Sequence, residues 1–554
     1  MSAGEATLGW DRNPEPDVVN YTVYWGLQTG TYSWSADAGN VTTYTILNLQ
    51  DGQRYFFAVQ AVNSSGLRSP LSSEVSTTVA AATPVAPTTL EQWLQRFGLT
   101  DANADSDGDG LTNQAEFNAG TDPTLPNTLY LAEGSTGFFR ERIALANPGT
   151  DPAEVSIALM SEAGATVVAQ AYIPPQSRTS VTVNDIPGLE EVAVSAVITA
   201  RRGGVVAERT MFWSTEAGEF YGGHTGKASP VLRNQWYFAE GFVGAFDTWF
   251  EVSNPNAAAA QLTVSYMLET GQVVRRSHSV GARTRLTVYA NAVPELANRS
   301  FSTVIASNLP VTAERTMYFS ALGQYWKGGT AAGGVHTPAR AWYIAEGNTG
   351  PLFDEYVLIQ NPNAAAATAT IRFLRPGGTP IERSYVLPAN SRTTIEVDAV
   401  PELTATDVSA MITASSPIVV ERAMYWPAAA WYEGHASSGV TQAGTRWALA
   451  EGEHGGPARF DTYILLANPG TQDALVFVTV LREGAGPISH SITVPAHSRS
   501  TLRSSELGLA SGEQFGAVVE SLNGVPIVVE RSMYWSTGAL LWSGGTNETA
   551  VLLR

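Results

Sequence analysis

Residues 105–116 form an acidic loop whose side chains are the best suited to chemistry in this chain. Counted from Asp105, aspartates stand at positions 1, 3 and 5, glycine at 6, asparagine at 9 and glutamate at 12. Ca²⁺ is a hard cation that prefers several oxygen ligands, and Gly110 permits the sharp turn that gathers them. The loop therefore predicts a Ca²⁺ site whose ligands are Asp105, Asp107, Asp109, the Leu111 carbonyl, Asn113 and a bidentate Glu116.

This loop has the ligand order of an EF-hand, except that Thr112 replaces the usual apolar residue, so pairing with a second hand is not expected. With Gly120-Thr121-Asp122-Pro123 behind it, the segment resembles the thrombospondin type 3-like calcium repeats of secreted bacterial proteins. The resemblance implies a structural role, in which calcium stiffens a joint. Extracellular sites bind with a Kd of about 10⁻⁴–10⁻³ M, which suits a calcium-rich medium. The alternative is a solvated linker that binds no ion.

A linker and a short helix precede the loop. Residues 81–87 are rich in proline and alanine, which predicts a semi-extended linker. Behind the possible cap Thr88-Thr89, one helical face has the spacing i, i+3, i+4, i+7 and consists of Leu90, Trp93, Leu94 and Phe97. We assign residues 83–127 to this joint.

Residues 1–82 show the alternation of a half-buried strand, because Tyr21, Val23 and Trp25 are separated by single residues. Trp10 and the pair Leu49/Tyr55 fit the core tryptophan and the tyrosine corner of a fibronectin type III domain, which this segment resembles over residues 3–80. The resemblance implies a β-sandwich and no particular function.

Four copies of one unit fill the rest of the chain. An Ala-Glu-Gly motif opens each copy, with its glutamate at Glu133, Glu240, Glu346 and Glu451. A Glu-Arg motif followed by Met and two aromatics closes each copy, with its arginine at Arg209, Arg315, Arg422 and Arg531. We therefore predict β-sandwich repeats over residues 128–235, 236–341, 342–446 and 447–554.

Each copy contains about seven or eight short strands, which is typical of an immunoglobulin-like sandwich. In the third copy, for example, Ala369, Ile371 and Phe373 alternate with polar residues. The predicted fold class is all-β: tandem immunoglobulin-like and fibronectin-like β-sandwiches with a short helical calcium-binding joint. A propeller, whose blades have roughly 40–50 residues, is the weaker alternative.

The motif glutamate and arginine lie on strand faces that are otherwise apolar, where an unpaired charge is costly. We predict that they form buried pairs within each copy: Glu133–Arg209, Glu240–Arg315, Glu346–Arg422 and Glu451–Arg531. A Ser-Arg pair before the fifth strand also recurs, at Arg178, Arg392 and Arg499, with Ala282-Arg283 in the second copy. The pattern resembles an uncharacterised tandem repeat of secreted bacterial proteins, a resemblance that implies no established activity.

Composition argues against several classes of partner. The net charge is −19, and the two lysines are Lys227 and Lys327, which disfavours nucleic acid and anionic membranes. There are no cysteines, which excludes disulfides and thiolate chemistry. Apolar runs are shorter than the roughly 18–20 residues that span a bilayer, and we expect no signal peptide in the residues before the first strand. We expect an extracellular or cell-surface protein without membrane insertion.

Sugar hydrolysis uses paired carboxylates, and the recurring glutamates invite that interpretation. An enzyme normally needs one unique site, however, so a glutamate present in all four copies favours a structural role and no enzymatic activity. The histidines lack the spacing of a metal site or a triad. Trp326, Trp431 and Trp542 stand in Gly-rich turns, where exposed rings would be able to stack on sugars.

These observations predict a bacterial structural or adhesive protein: a rod of tandem sandwiches, stiffened by calcium, that serves as a subunit of a surface filament or layer. Its expected partners are further copies of itself or components of the cell surface and matrix. The alternative is a carbohydrate-binding accessory region of a secreted polysaccharide-active enzyme.

Overall fold

The structure is a computed structural model, and it describes residues 3–15, 17–32, 34–50, 53–79, 89–214, 220–538 and 540–553. Over these residues the protein is all-β with two short helices, which confirms the predicted fold class. It divides into two compact units, Met1–Arg96 and Phe97–Arg554. The predicted linker at residues 81–87, with Thr88, lies outside the described residues. No helix of the described part is long and apolar enough to cross a membrane.

The first unit is built from two sheets. One sheet pairs β1 (Ala3–Gly9) with β4 (Thr43–Gln50). The other has the order β3-β2-β5-β6 and consists of β2 (Val18–Gly26), β3 (Trp34–Gly39), β5 (Arg54–Asn63) and β6 (Val75–Thr78). Val23, Leu49 and Phe57 belong to its core. The helix α1 (Leu90–Arg96) follows, and the Thr89 hydroxyl caps it by accepting a hydrogen bond from the Gln92 N–H at 3.3 Å.

The second unit begins with the acidic loop and α2 (Asn113–Ala119), and continues into the segments that we call repeat 1 to repeat 4. The strands of repeat 1 are β7 (Thr128–Leu131), β8 (Phe139–Asn147), β9 (Ala153–Ser161), β10 (Thr166–Ile173), β11 (Ser177–Thr182), β12 (Val194–Arg202), β13 (Val206–Ser214) and β14 (Phe220–Lys227). Those of repeat 2 are β15 (Arg233–Phe238), β16 (Phe242–Val243), β17 (Phe246–Asn254), β18 (Ala260–Leu268), β19 (Val273–Val280), β20 (Thr284–Tyr289), β21 (Arg299–Ala321) and β22 (Gln324–Gly333).

The strands of repeat 3 are β23 (Ala339–Ile344), β24 (Asp354–Asn361), β25 (Ala367–Leu374), β26 (Ile381–Leu387), β27 (Ser391–Glu396), β28 (Ser409–Trp426) and β29 (Glu433–Ser438). Those of repeat 4 are β30 (Arg446–Leu449), β31 (Glu453–His454), β32 (Asp461–Asn468), β33 (Ala474–Arg482), β34 (Ile488–Val494), β35 (Ser498–Arg503), β36 (Glu513–Ser521), β37 (Val528–Thr537), β38 (Leu540–Thr549) and β39 (Val551–Leu552). Short 3-10 turns lie at Val183–Asp185, Ala290–Ala292, Pro294–Leu296, Pro401–Leu403 and Ser504–Glu506.

Each repeat folds into two antiparallel sheets. In repeat 1 the sheets have the strand orders β10-β9-β12-β7 and β11-β8-β13-β14. In repeats 2 and 3 the strands equivalent to β12 and β13 are continuous, so that β21 and β28 contribute to both sheets. Every repeat has its own apolar core, such as the cluster around Trp342, Ile371 and Ile412 in repeat 3. The repeats are therefore sandwiches, and the propeller alternative is wrong.

The four repeats close into a ring. The axial strands, defined as β14, β22, β29 and β38, lie side by side around one axis, and β38 of repeat 4 also contacts β14 of repeat 1. The main chain of Lys227 in β14 donates to the Glu548 carboxylate in β38 at 2.9 Å. The prediction of a rod is thus wrong for residues 128–554. The physical reason is that a head-to-tail interface produces a ring when its rotation closes on itself.

Candidate calcium site and ring interfaces

The side chain of Asp105 organises the predicted calcium loop. Its Oδ1 accepts hydrogen bonds from the N–H groups of Gly108 at 2.7 Å and Asp109 at 3.1 Å, and its Oδ2 accepts one from Gly110 at 2.9 Å. Gly110 has a φ of +97°, a conformation that glycine adopts without strain. The loop is therefore wound around its first carboxylate.

Carboxylates converge inside this loop. Oxygens of Asp105, Asp107 and Asp109 lie within 4.8 Å of one another. Glu116 is fully buried, and among the described residues neither its Oε2 nor the buried Oδ2 of Asp107 has a hydrogen-bond partner. Burial, reinforced by the neighbouring aspartates, raises the pKa of Glu116 to about 9 and that of Asp107 to about 7. Buried oxygens without partners and mutually repelling carboxylates fit a hard divalent cation, so this donor set fits Ca²⁺.

The remaining predicted ligands belong to the start of α2 or precede it. Thr112 caps α2 by accepting a hydrogen bond from the Ala115 N–H at 3.3 Å, which explains the polar residue at a usually apolar position. Asn113 is buried, and its Nδ2 donates to the Asp101 carbonyl at 2.6 Å. Its Oδ1 has no hydrogen-bond partner in the part of the chain that the structure describes. Leu111 is 41% exposed. The ligand roles of all six predicted residues, including Asp105, Asp107 and Asp109, stay predictions.

Sequence reasoning missed Asn127, which ties the loop to repeat 1. Its backbone N–H donates to Asp109 Oδ2 at 2.9 Å, and its side-chain Nδ2 donates to Glu116 Oε1 at 3.3 Å. The loop is also attached through Gly203, which donates to the Gly120 carbonyl at 2.9 Å. Asn127 lies 11 residues beyond the last predicted ligand, and only the fold brings it back to the loop. The spacing of residues in the sequence therefore could not indicate its role.

The second functional arrangement consists of the four seams between repeats, which we name 1/2, 2/3, 3/4 and 4/1. In each seam the arginine of one repeat faces the Glu-Arg glutamate of the next. Three of these pairs measure 2.7, 3.6 and 2.7 Å and a fourth is also formed; they are Arg209–Glu314, Arg422–Glu530, Arg531–Glu208 and Arg315–Glu421. Because repeat 4 pairs back with repeat 1, the ion pairs form a closed cycle.

The same glutamates bind the Ala-Glu-Gly motif of the preceding repeat. Each accepts a hydrogen bond over 2.7–2.9 Å from the backbone N–H of the motif alanine, at Ala132, Ala239, Ala345 and Ala450. An arginine inside β20, β27 and β35 reaches the same motif over 2.7 Å, donating to the glycine carbonyl from Arg285, Arg392 and Arg499. The prediction of Arg283 in the second copy is therefore wrong, because Arg285 takes that place in the strand. The signature residues of the repeat are thus the residues that join one repeat to the next.

The predicted pairs within a repeat are confirmed in two copies and wrong in two. Glu133–Arg209 and Glu240–Arg315 are formed at 2.6 and 2.7 Å. Across the described ranges, Glu346–Arg422 and Glu451–Arg531 do not form ion pairs; Arg422 and Arg531 pair with glutamates of the neighbouring repeat. The sequence predicted that these charges are buried and paired. The spacing of the motifs is the same in every copy, however, so it cannot distinguish a partner in the same repeat from one in the next repeat.

Seam 4/1 differs from the others. Its Glu451 pairs with Arg142 at 3.0 Å, where the equivalent residues are aromatic in the other repeats. Burial alone would raise the pKa of Glu451, but Arg142 and Arg178 hold it below its ordinary value. Arg142 also pairs with Glu453 at 3.2 Å. The seam that no chain segment connects directly therefore has the most favourable charge balance around its motif glutamate.

Both lysines of the chain lie on the axial strands. Lys327 is buried, and its Nζ donates to the carbonyls of Tyr221 at 2.5 Å and Ser543 at 2.7 Å. It also lies 5.1 Å from the ring centroid of Tyr432, so it contacts all three other repeats. Lys227 donates to the carbonyl of Thr549 at 3.3 Å. The rarity of lysine in the sequence was the one signal for this axial role.

The histidines and turn tryptophans also serve packing. His224 and His435 bond the hydroxyls of Tyr318 and Tyr534 at 2.9 Å, and burial lowers the pKa of both imidazoles well below the usual value. Trp326, Trp431 and Trp542 are half-buried because one face stacks on a tyrosine, with centroids 4.6–4.7 Å apart.

Comparison with known proteins confirms two of the resemblances. The fibronectin type III domain model matches residues 2–78, and the bacterial TSP3 repeat model, a calcium-binding type, matches residues 105–126. A Kelch domain-containing protein, SSO1033, of Saccharolobus solfataricus is 42% identical over 73 residues, which are 13% of this chain. The chain spans about a tenth of that relative's length.

Solved structures with similarity include the Anabaena sensory rhodopsin transducer, 28% identical over 16% of this chain and 96% of that one, with a TM-score of 0.14. Thermotoga maritima 1070 is 14% identical over 19% of this chain and 94% of that one, with a TM-score of 0.18. A tetra-tandem repeat from the extending region of a large adhesion protein is 11% identical over 74% and 94%, with a TM-score of 0.11. The family matches support an extracellular multidomain β protein.

Proposed function

We propose that this protein is a non-enzymatic structural or adhesive protein outside a bacterial cell, in which a ring of four sandwiches forms a rigid, calcium-bearing module. The observation that carries this proposal is the use of the repeat signature in the seams. The motif residues form the contacts between neighbouring repeats, which is expected of a structural building unit.

The motif glutamates support the same conclusion. Glu133, Glu240, Glu346 and Glu451 are 1–5% exposed, and each lies against a seam. Such carboxylates have no access to a polysaccharide, whereas a hydrolase must place its pair of carboxylates at the scissile bond. Glu133 and Glu240 pair with arginine and accept a tyrosine hydroxyl, and Glu451 pairs with Arg142.

Self-association is the partner we propose first, as in a surface filament or layer. The test is electron microscopy and sedimentation of the purified chain over a range of concentrations, with calcium and with chelator. Ordered polymers, or a reversible increase in sedimentation coefficient with concentration, would support it. A monomer in both conditions that nevertheless binds bacterial cells or matrix would favour the adhesive role without assembly.

A carbohydrate-binding accessory role is the second candidate, and one surface feature favours it. Tyr325 is 65% exposed and stacks on Trp326, with ring centroids 4.7 Å apart, next to Phe138. Exposed aromatic faces of this kind are suited to stacking on sugars. Pull-down on insoluble polysaccharides should then be lost in Tyr325→Ala and kept in Leu541→Ala, a control at the equivalent, 60% exposed position of repeat 4. Equal binding by both variants would reject this surface.

A further inference from the structure

The calcium segment lies at the one seam that the chain does not connect in sequence. Seams 1/2, 2/3 and 3/4 join consecutive repeats, whereas seam 4/1 joins the last repeat to the first. Closure of the ring there depends on noncovalent contacts alone. Any additional element at this seam changes how readily the ring opens.

Leu125, which follows the predicted calcium ligands, is such an element. It is 2% exposed and packs in one apolar cluster with residues of both flanking repeats: Ala144, Ala146 and Val206 of repeat 1, and Ala448, Ala450, Leu481, Val518 and Leu553 of repeat 4. The corresponding clusters of seams 2/3 and 3/4, within the described residues, consist of repeat residues only. Leu125, which lies outside the repeats, therefore completes the apolar cluster of seam 4/1.

Leu125 is held in place from both sides, and on one side the contacts are made by predicted calcium ligands. Two residues beyond it, Asn127 is bound by the carboxylates of Asp109 and Glu116. Three residues before it, Asp122 donates its backbone N–H to the Gly203 carbonyl at 3.3 Å, beside the hydrogen bond between Gly203 and Gly120. The position of Leu125 is thus tied to the geometry of the loop.

A bound cation would stabilise that geometry. Besides the cluster of aspartates, the fully buried Glu116 has an oxygen without a hydrogen-bond partner among the described residues, and the charges of Asp107 and Asp109 act on this side chain. Unpaired buried carboxylates repel one another and favour an open, solvated loop. An open loop releases Asn127, and with it Leu125.

We propose that the calcium segment is a clasp for the ring: calcium bound at Asp105–Glu116 holds Leu125 in seam 4/1 and suppresses the opening of that seam. The proposal rests on the calcium assignment and goes beyond the structural role proposed above. By linkage, calcium at ten times its Kd should lower the population of the open seam about tenfold.

A buried thiol can measure this opening, because the chain has no cysteine. Ala450 in seam 4/1 and Ala345 in seam 3/4 are matched positions: both are 0% exposed, and both donate their N–H at 2.7 Å to the glutamate of the next repeat. In the full chain, chelation should raise the alkylation rate of Ala450→Cys about tenfold and that of Ala345→Cys less than about twofold. Equal acceleration at both sites, or at neither, would overturn the proposal.

Leu125→Ala separates the clasp from calcium binding. In this background calorimetry should still detect bound calcium, while alkylation of Ala450→Cys should be fast with or without it. Persisting tenfold protection by calcium would contradict the role of Leu125, and absence of calcium binding in the unaltered chain would overturn both the site and the clasp. Hydrogen exchange of residues 446–452 against 341–347 in the unaltered chain provides the same comparison without any substitution.

Discussion

Replacement of Arg315 by methionine tests whether the seams carry the stability of the ring. Arg315 is fully buried and lies between two carboxylates, Glu240 of its own repeat at 2.7 Å and Glu421 of the next. It also donates to the Glu240 carbonyl at 3.1 Å. Breaking a buried pair by removing one partner costs about 3–5 kcal/mol, because the other charge stays buried. Because Arg315→Met leaves two buried carboxylates without their arginine, we expect a loss of unfolding free energy at or above the upper part of that range.

The assay is urea unfolding followed by tryptophan fluorescence, with Arg276→Met as the matched control. Arg276 pairs with Glu295 at 2.6 Å in the same repeat, but both side chains are more than a third exposed. Exposed pairs contribute about 0–1 kcal/mol. If Arg315→Met shifted the urea midpoint no more than Arg276→Met does, the stability of the ring would not depend on the buried ion pairs of its seams.

The penalty should also depend on pH. Burial raises the pKa of Glu421 above its ordinary value near 4.5, and Arg315 limits that rise. Without Arg315 the folded-state pKa rises further, so the folded protein binds a proton that the unfolded chain releases. That contribution to stability is present at low pH and is lost as the pH rises through the folded-state pKa. The variant should therefore lose more stability at pH 8 than at pH 5, and Glu421→Gln in the same chain should remove this difference.

Three further outcomes follow from the structure. Since the pKa of Glu116 is raised to about 9, calcium must displace a proton from this side chain when it binds. Calcium binding measured by calorimetry should therefore tighten from pH 6 to pH 9. The melting temperature of the calcium-free chain should fall relative to that of the calcium form as the pH rises. Tyr425→Phe removes the hydroxyl that donates to Glu240 at 2.9 Å and should cost about 1.5–3 kcal/mol in urea unfolding. In thermal melts, Gly223→Ala should destabilise by about 1–3 kcal/mol, because its Cβ would lie 2.8 Å from a neighbouring tryptophan, whereas Gly486→Ala, with open space, should be near neutral.

Much of the calcium loop could be predicted because its ligands are close in sequence. Asp105, Asp107 and Asp109 converge through a turn that Gly110 makes possible, and this geometry is local. Asn127 could not be predicted, because its contact with the loop depends on the folded chain. The helix α2 and the hydrogen bond between Gly203 and Gly120 lie between the loop and this residue and bring it back to Asp109. Local spacing indicated the carboxylates that converge, and the fold added the residue that couples them to the rest of the molecule.

By itself the sequence determined that the chain contains a fibronectin type III domain, a loop of the bacterial TSP3 type and four sandwiches with buried glutamates and arginines. The tertiary structure decided which charges meet. Arg422 faces Glu530 of the next repeat and not Glu346 of its own, and Arg531 returns to Glu208 at the start of the ring. The physical reason is that a repeated motif offers every charge equivalent partners in each copy. The choice among them depends on the rotation between neighbouring sandwiches, and a rotation that closes after four copies replaces a rod by a ring.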